Sequence, residues 1–226
     1  MKRILAILIL SVAGCATVQQ ENIPTHLLDW AEANIYRVVN QGGSGSGFWV
    51  GNIFITACHV VKDGGPISIA QNGINPISME VLTCNTTNDV ATLRATHEKH
   101  AETPVFWADE GEIVYGAGYP LGGRLVITKG HYQGLEPSAL DAYPEGAYLT
   151  SVPTINGDSG SPILGIAGEN VYIAGIRIAV RLHQIFGYAG PVQMPISHLA
   201  ATSGPRSIKN EIETAKKIIR GEILLR

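Results

Sequence analysis

Twelve short runs of β-forming residues, each cut off by glycine, proline or asparagine, constrain this chain more than any other feature. Six lie at 35–39, 47–50, 53–56, 67–70, 77–83 and 90–94, and six more at 113–118, 125–132, 147–151, 162–165, 171–179 and 190–194. Residues 98–111 read as a linker between the two sets. Six strands on each side predict an all-β fold of two six-stranded antiparallel β-barrels with a cleft at their interface. The expected organisation is barrel 1 over about 34–97, barrel 2 over about 112–200, and a C-terminal helix and tail over 201–226. In that tail Ile208, Ile212, Ala215 and Ile219 fall at helical spacing, with Ser207 as the expected cap. A lead-in helical turn is expected near residues 25–32, capped by Thr25. The run Gly42-Gly43-Ser44-Gly45-Ser46-Gly47 reads as a mobile hairpin connection beside the cleft. Net charge is −3, and no cluster of Lys and Arg precedes the C-terminal tail, which speaks against nucleic acid as a partner.

The chemistry concentrates in Thr154-Ile155-Asn156-Gly157-Asp158-Ser159-Gly160-Ser161-Pro162. A serine between an aspartate and a glycine, two residues after Gly157, is a nucleophile presented on a tight turn. Gly157 permits backbone conformations that a side chain forbids. The N–H groups of Gly157 and Ser159 are then the candidate oxyanion donors. A serine hydroxyl needs a base, and the base an orienting group. Thr56-Ala57-Cys58-His59-Val60-Val61 follows an apolar run and offers His59; Asn88-Asp89-Val90-Ala91-Thr92-Leu93 offers Asp89 at the mouth of a strand. His, Asp, Ser is one of the chain orders in which such triads occur. No Cys/His metal spacing is present, and no cofactor is expected.

These three segments resemble the motif blocks of the trypsin/chymotrypsin-like serine peptidase superfamily. The resemblance runs from about residue 34 to 199. Separations of 30 residues from His59 to Asp89 and 70 from Asp89 to Ser159 are similar to those of its bacterial HtrA and glutamyl-endopeptidase groups. It implies a chymotrypsin-like pair of barrels and a serine endopeptidase acting on polypeptides, with His59, Asp89 and Ser159 as catalytic residues. It places Pro153 and Thr154 by the primary substrate pocket and Arg177 on its wall, where acidic P1 residues would be recognised. The competing reading is that Arg177 points outward or pairs with Glu169 or Asp158. In digestive relatives a newly cut N-terminus pairs with the aspartate at the position of Asp158; here another partner is expected. The alternative functional class is a catalytically weak or inactive binding lipoprotein of the same fold.

The chain opens with Met1-Lys2-Arg3, a short apolar run from Ile4 to Leu10, and Val12-Ala13-Gly14-Cys15. A basic start, an apolar stretch too short to span a bilayer and small residues before a cut form a secretory signal over 1–14. The last four residues resemble a bacterial lipobox, which makes Cys15 the lipidation site and 15–33 a membrane tether with its lead-in helix. The expected location is the bacterial cell envelope, at the outer membrane facing the periplasm, held by lipid. Cys58 and Cys84 remain in an oxidising compartment. The resemblance argues against their pairing, because vertebrate relatives place the cysteine after the histidine and pair it with an earlier strand.

Overall fold

The computed structural model describes residues 23–71, 75–95, 100–136, 147–187 and 190–224, and within 179–201 the backbone alone. The signal segment and Cys15 lie outside the described residues.

The first barrel comprises β1 (Ile35–Asn40), β2 (Gly43–Val50), β3 (Ile53–Thr56), β4 (Ile67–Ala70), β5 (Ile77–Asn85) and β6 (Val90–Arg94). They pair in the order β1-β2-β3-β6-β5-β4, and β1 returns to β4 to close the ring. The second barrel comprises β7 (Ile113–Gly118), β8 (Val126–Glu136), β9 (Ala147–Thr150), β10 (Pro162–Ala167), β11 (Asn170–Gly187) and β12 (Gly190–Ser203). Its order is β10-β11-β12-β9-β8-β7, closed by β10 against β7. Closure leaves the barrel strands without free edges. The linker is laid onto the second barrel, where Val105 bridges Ile173 and Phe106 N–H donates to the Ile173 carbonyl.

The core does not stop at the barrel boundary. Phe48, Trp49, Phe54, Ile69 and Leu93 of the first barrel are fully buried, and the same apolar cluster continues through Tyr115, Ala117, Leu164 and Ile173 of the second. It ends on Ile208, Ile212 and Ala215 of the C-terminal helix.

Four local expectations are corrected. The glycine-rich run is not a loose connection: Gly43–Gly47 lie in β2, in register with β1 from Ile35↔Phe48 to Asn40↔Gly43. Glycine is required there by close approach. A Cβ on Gly45 would stand 2.8 Å from the Val60 side chain and 2.9 Å from the Ser159 carbonyl oxygen, and one on Gly47 would strike the Phe54 ring. Helix α1 (Thr25–Asn34) takes Pro24 at its N-cap, so Thr25 is its first helical residue and caps nothing. Two amides, of Leu27 and Leu28, converge on the Pro24 carbonyl instead. The C-terminal helix spans Pro205–Ile219, behind Gly204, so Ser207 falls inside its first turn. Pro205 is preorganised for that first position, and the Tyr148 and Trp107 rings leave Gly204 no room for a side chain. Finally, β11 and β12 run past their expected ends as a two-stranded ribbon. The strand expected at 190–194 was placed, but Pro195 hid its continuation to Ser203, since proline argues against a strand paired on both sides.

Candidate active site

His59 sits on α2 (Cys58–Val61), a single helical turn that follows β3. Asp89 is the last residue of the turn from β5 to β6. It holds a left-handed φ of 53°, a conformation that aspartate tolerates better than most residues. Within that turn the Asn85 Oδ1 accepts from the amides of Thr87 (3.0 Å) and Asn88 (3.2 Å). Both oxygens of the Asp89 carboxylate face residue 59. Oδ1 accepts from the His59 backbone N–H at 2.8 Å, and Oδ2 lies 2.6 Å from the ring Nδ1. That pairing assigns the ring proton to Nδ1 and makes Nε2 the basic nitrogen. The carboxylate is largely covered, while the imidazole is more than a third exposed.

The disulfide expectation was wrong. Cys58 and Cys84 are bonded, with Cα atoms 5.0 Å apart. Strand pairing explains the proximity: Ala91 of β6 faces Thr56 on one side and Cys84 on the other, and Cys58 follows Thr56 by two residues. The bridge therefore ties the turn that carries His59 to the strand that leads to Asp89.

Ser159 belongs to the second barrel, on a turn shaped by Gly157 (φ 95°) and Gly160 (φ 85°). The Ser159 carbonyl accepts from Ser46 N–H of β2 at 2.8 Å. A Cβ on Gly160 would stand 2.3 Å from the Ser46 carbonyl and 2.7 Å from the Ala57 amide. The serine turn is thus pressed against the end of β3, two residues from His59. The amides of Asp158, Gly160 and Ser161 donate to Ile155, Arg177 and Asp158 carbonyls respectively. Among the described residues, those of Gly157 and Ser159 have no protein acceptor. Two unspent N–H groups flanking a serine suit a developing oxyanion.

Arg177 of β11 is buried and paired, not turned outward. It is 1% exposed, and its Nη1 lies 3.2 Å from Asp158 Oδ2, so the aspartate beside the serine is its partner. Nε donates to Ser161 Oγ at 2.5 Å, and Nη1 also reaches the Pro153 carbonyl at 3.2 Å. Thr154 Oγ1 is 3.5 Å from Nη1 and donates to the Val152 carbonyl. Burial, opposed in part by Asp158, lowers the guanidinium to about 10, so the group stays cationic at neutral pH. The Asp158 Oδ2 also accepts the Ile155 amide at 3.0 Å, which braces the segment leading into the turn.

One residue of the site escaped the sequence reading. Ser46, fully buried in β2, accepts from the Tyr119 amide at 2.9 Å and donates to the Gly157 carbonyl at 2.8 Å. Its hydroxyl links the first barrel, the start of the Pro120–Gly122 turn and the serine turn. The available signal was a serine alternating with glycines at strand period, which low complexity disguised.

A family model described as trypsin-like peptidase domain matches residues 45–172. The chain is 27% identical over 144 residues to a probable periplasmic serine endoprotease, DegP-like, of Rhizobium meliloti (strain 1021). The match takes in 60% of this chain and 28% of that one, so the chain spans less than a third of that relative's length. Among solved structures it is similar to a protease from M. tuberculosis in its active form, with TM-score 0.66 and 17% identity over 84% of this chain and 83% of that one. It is also similar to the serine endoprotease from Yersinia pestis, with TM-score 0.66 and 15% identity over 86% and 68%. At these identities the likeness to solved structures is one of fold.

Proposed function

Since this chain belongs to the trypsin-like peptidase domain family, we propose that it is a serine endopeptidase whose triad is His59, Asp89 and Ser159. The observation that carries the proposal is the doubly bonded His59–Asp89 pair beside a serine turn with two unspent amides. Ser159 Oγ attacks the peptide carbonyl carbon while His59 Nε2 takes its proton. The carbonyl oxygen gathers charge against the N–H groups of Gly157 and Ser159. Collapse of the tetrahedral adduct breaks the C–N bond, and His59 returns the proton to the leaving amine. Water then repeats the sequence on the acyl-enzyme and frees the acid. Asp89 holds the imidazole in the Nδ1–H tautomer and offsets the charge of its cation.

Ser159→Ala should lower kcat by roughly five to six orders of magnitude and leave the fold unchanged. A serine-directed phosphonate that labelled both forms equally would overturn the assignment.

The P1 preference turns on Arg177. Its charge is matched by Asp158 and its head group is enclosed, so a P1 carboxylate gains little unless the pocket opens toward Nη2, which has no partner among the described residues. An acidic preference therefore predicts at least a tenfold gain for Glu or Asp over Ala in a P1 library, and equal turnover removes it.

The start of the chain supports export to the cell envelope with a lipid on Cys15, at the outer membrane facing the periplasm. Labelled palmitate incorporated by the natural chain, and not by Cys15→Ser, is the expected result.

A further inference from the structure

The Asp89 turn is held from the second barrel as well as from the first. We infer that Glu211, on the C-terminal helix α3 (Pro205–Ile219), is a positioning residue that sets Asp89 against His59 through Asn85. The inference rests on the triad reading above.

Glu211 is a carboxylate only 8% exposed, on the helix face that also buries Ile208, Ile212 and Ala215. A charged group on such a face costs stability unless it is bonded. Its Oε1 accepts from Asn85 Nδ2 at 2.9 Å. The other end of the Asn85 amide is committed as well, since Oδ1 accepts the amides of Thr87 and Asn88. Each end of that one side chain therefore fixes the other: Glu211 sets the orientation of the amide, and the amide sets the turn. Four residues further on, Asp89 stands at its left-handed φ with its carbonyl accepting the Cys58 amide at 3.2 Å.

A second tie comes from the same side. Ser203 Oγ, at the end of β12 and 1% exposed, donates to the Asn88 carbonyl. Ser203 and Glu211 flank the junction from β12 into α3. Both grip the four residues before Asp89, while the Cys58–Cys84 bridge holds the strand residue that precedes them from the first barrel. The arrangement has a mechanical meaning. His59 and Asp89 are carried by the first barrel and Ser159 by the second. A strut from the second barrel to the Asp89 turn keeps the two parts of the triad in one frame, and displacements well under an ångström matter to such geometry.

The test uses the full chain and separates this role from simple support of the helix. Glu211→Ala should lower kcat about tenfold with KM within twofold of the natural enzyme. Glu211→Gln keeps an acceptor for Asn85 and should stay within threefold of it. Asn85→Asp preserves the acceptor for Thr87 and Asn88 but sets a carboxylate against Glu211, and should also lose about tenfold in kcat. Combining Asn85→Asp with Glu211→Gln restores a donor–acceptor pair, and kcat should recover to within threefold. If Glu211→Ala does not fold, the size-preserving Asn85→Asp and the double variant carry the experiment. The proposal falls if Asn85→Asp and Glu211→Ala keep full kcat, if Glu211→Gln is as impaired as Glu211→Ala, or if the double variant fails to recover. Phosphonate labelling that requires Ser159 in every variant confines such a failure to the strut, whereas labelling that ignores Ser159 removes the triad reading itself.

Discussion

Replacing Arg177 by methionine isolates the ion pair beneath the serine turn. The guanidinium is 1% exposed and the Asp158 side chain 6%, so neither charge falls back on water when the other is removed. Breaking such a pair from one side costs about 3–5 kcal/mol, most of it from the stranded charge. Asp158 keeps the Ile155 amide at 3.0 Å, which places Arg177→Met at the lower end, about 3 kcal/mol. For a domain of this size that is a fall in Tm of roughly 6–12 °C. Adding Asp158→Asn removes the stranded charge, and the double variant should come back to within about 1–2 kcal/mol of the natural chain. Equilibrium denaturation in urea of Arg177→Met, Asp158→Asn and the double variant, with m unchanged across the three, gives the coupling directly. A loss below about 1 kcal/mol for Arg177→Met, or a double variant as unstable as the two single losses added together, would refute the buried-pair account.

Two further outcomes follow from the geometry. Replacing both Cys58 and Cys84 by alanine opens a loop with a sequence separation of 26 and should cost about 3–4 kcal/mol by loop entropy; an unchanged urea midpoint under non-reducing conditions contradicts the pairing. Burial raises the phenols of Tyr132 and Tyr172, the latter also through its hydrogen bond to Glu112. A raised folded-state value favours the neutral phenol, so this contribution is whole below about pH 10 and is lost as pH climbs above it. Absorbance at 295 nm should show Tyr132 and Tyr172 among the tyrosines that ionise only with unfolding, whereas reversible titration of both near pH 10 would count against their burial.

Most strand positions were legible because barrel strands alternate and end at turn residues. Residues 53–56, 67–70, 90–94 and 113–118 fell where they were expected. His59, Asp89 and Ser159 were legible as candidates because each sits in a distinctive local context. What escaped depended on contacts between distant segments. The spacing of Cys58 and Cys84 says nothing about β6 lying between their strands. The glycines of β2 looked like flexibility, yet their smallness is set by Val60, Ser159 and Phe54, which no local pattern reports. The bond from Asn85 to Glu211 crosses 126 residues. Capping at Pro24 and Gly204 was missed because proline and neighbouring aromatic rings displaced the hydroxyl residues one expects at helix starts.

The apolar cluster that passes from Phe48 through Leu164 to Ile212 joins the two halves. The second ring also keeps a smaller oily pocket of its own around Val114, Tyr132, Ile163 and Ala174, so it is the shared seam that couples it to the first. A chain halted short of residue 205 would leave that seam uncovered at the end that Ile208, Ile212 and Ala215 close.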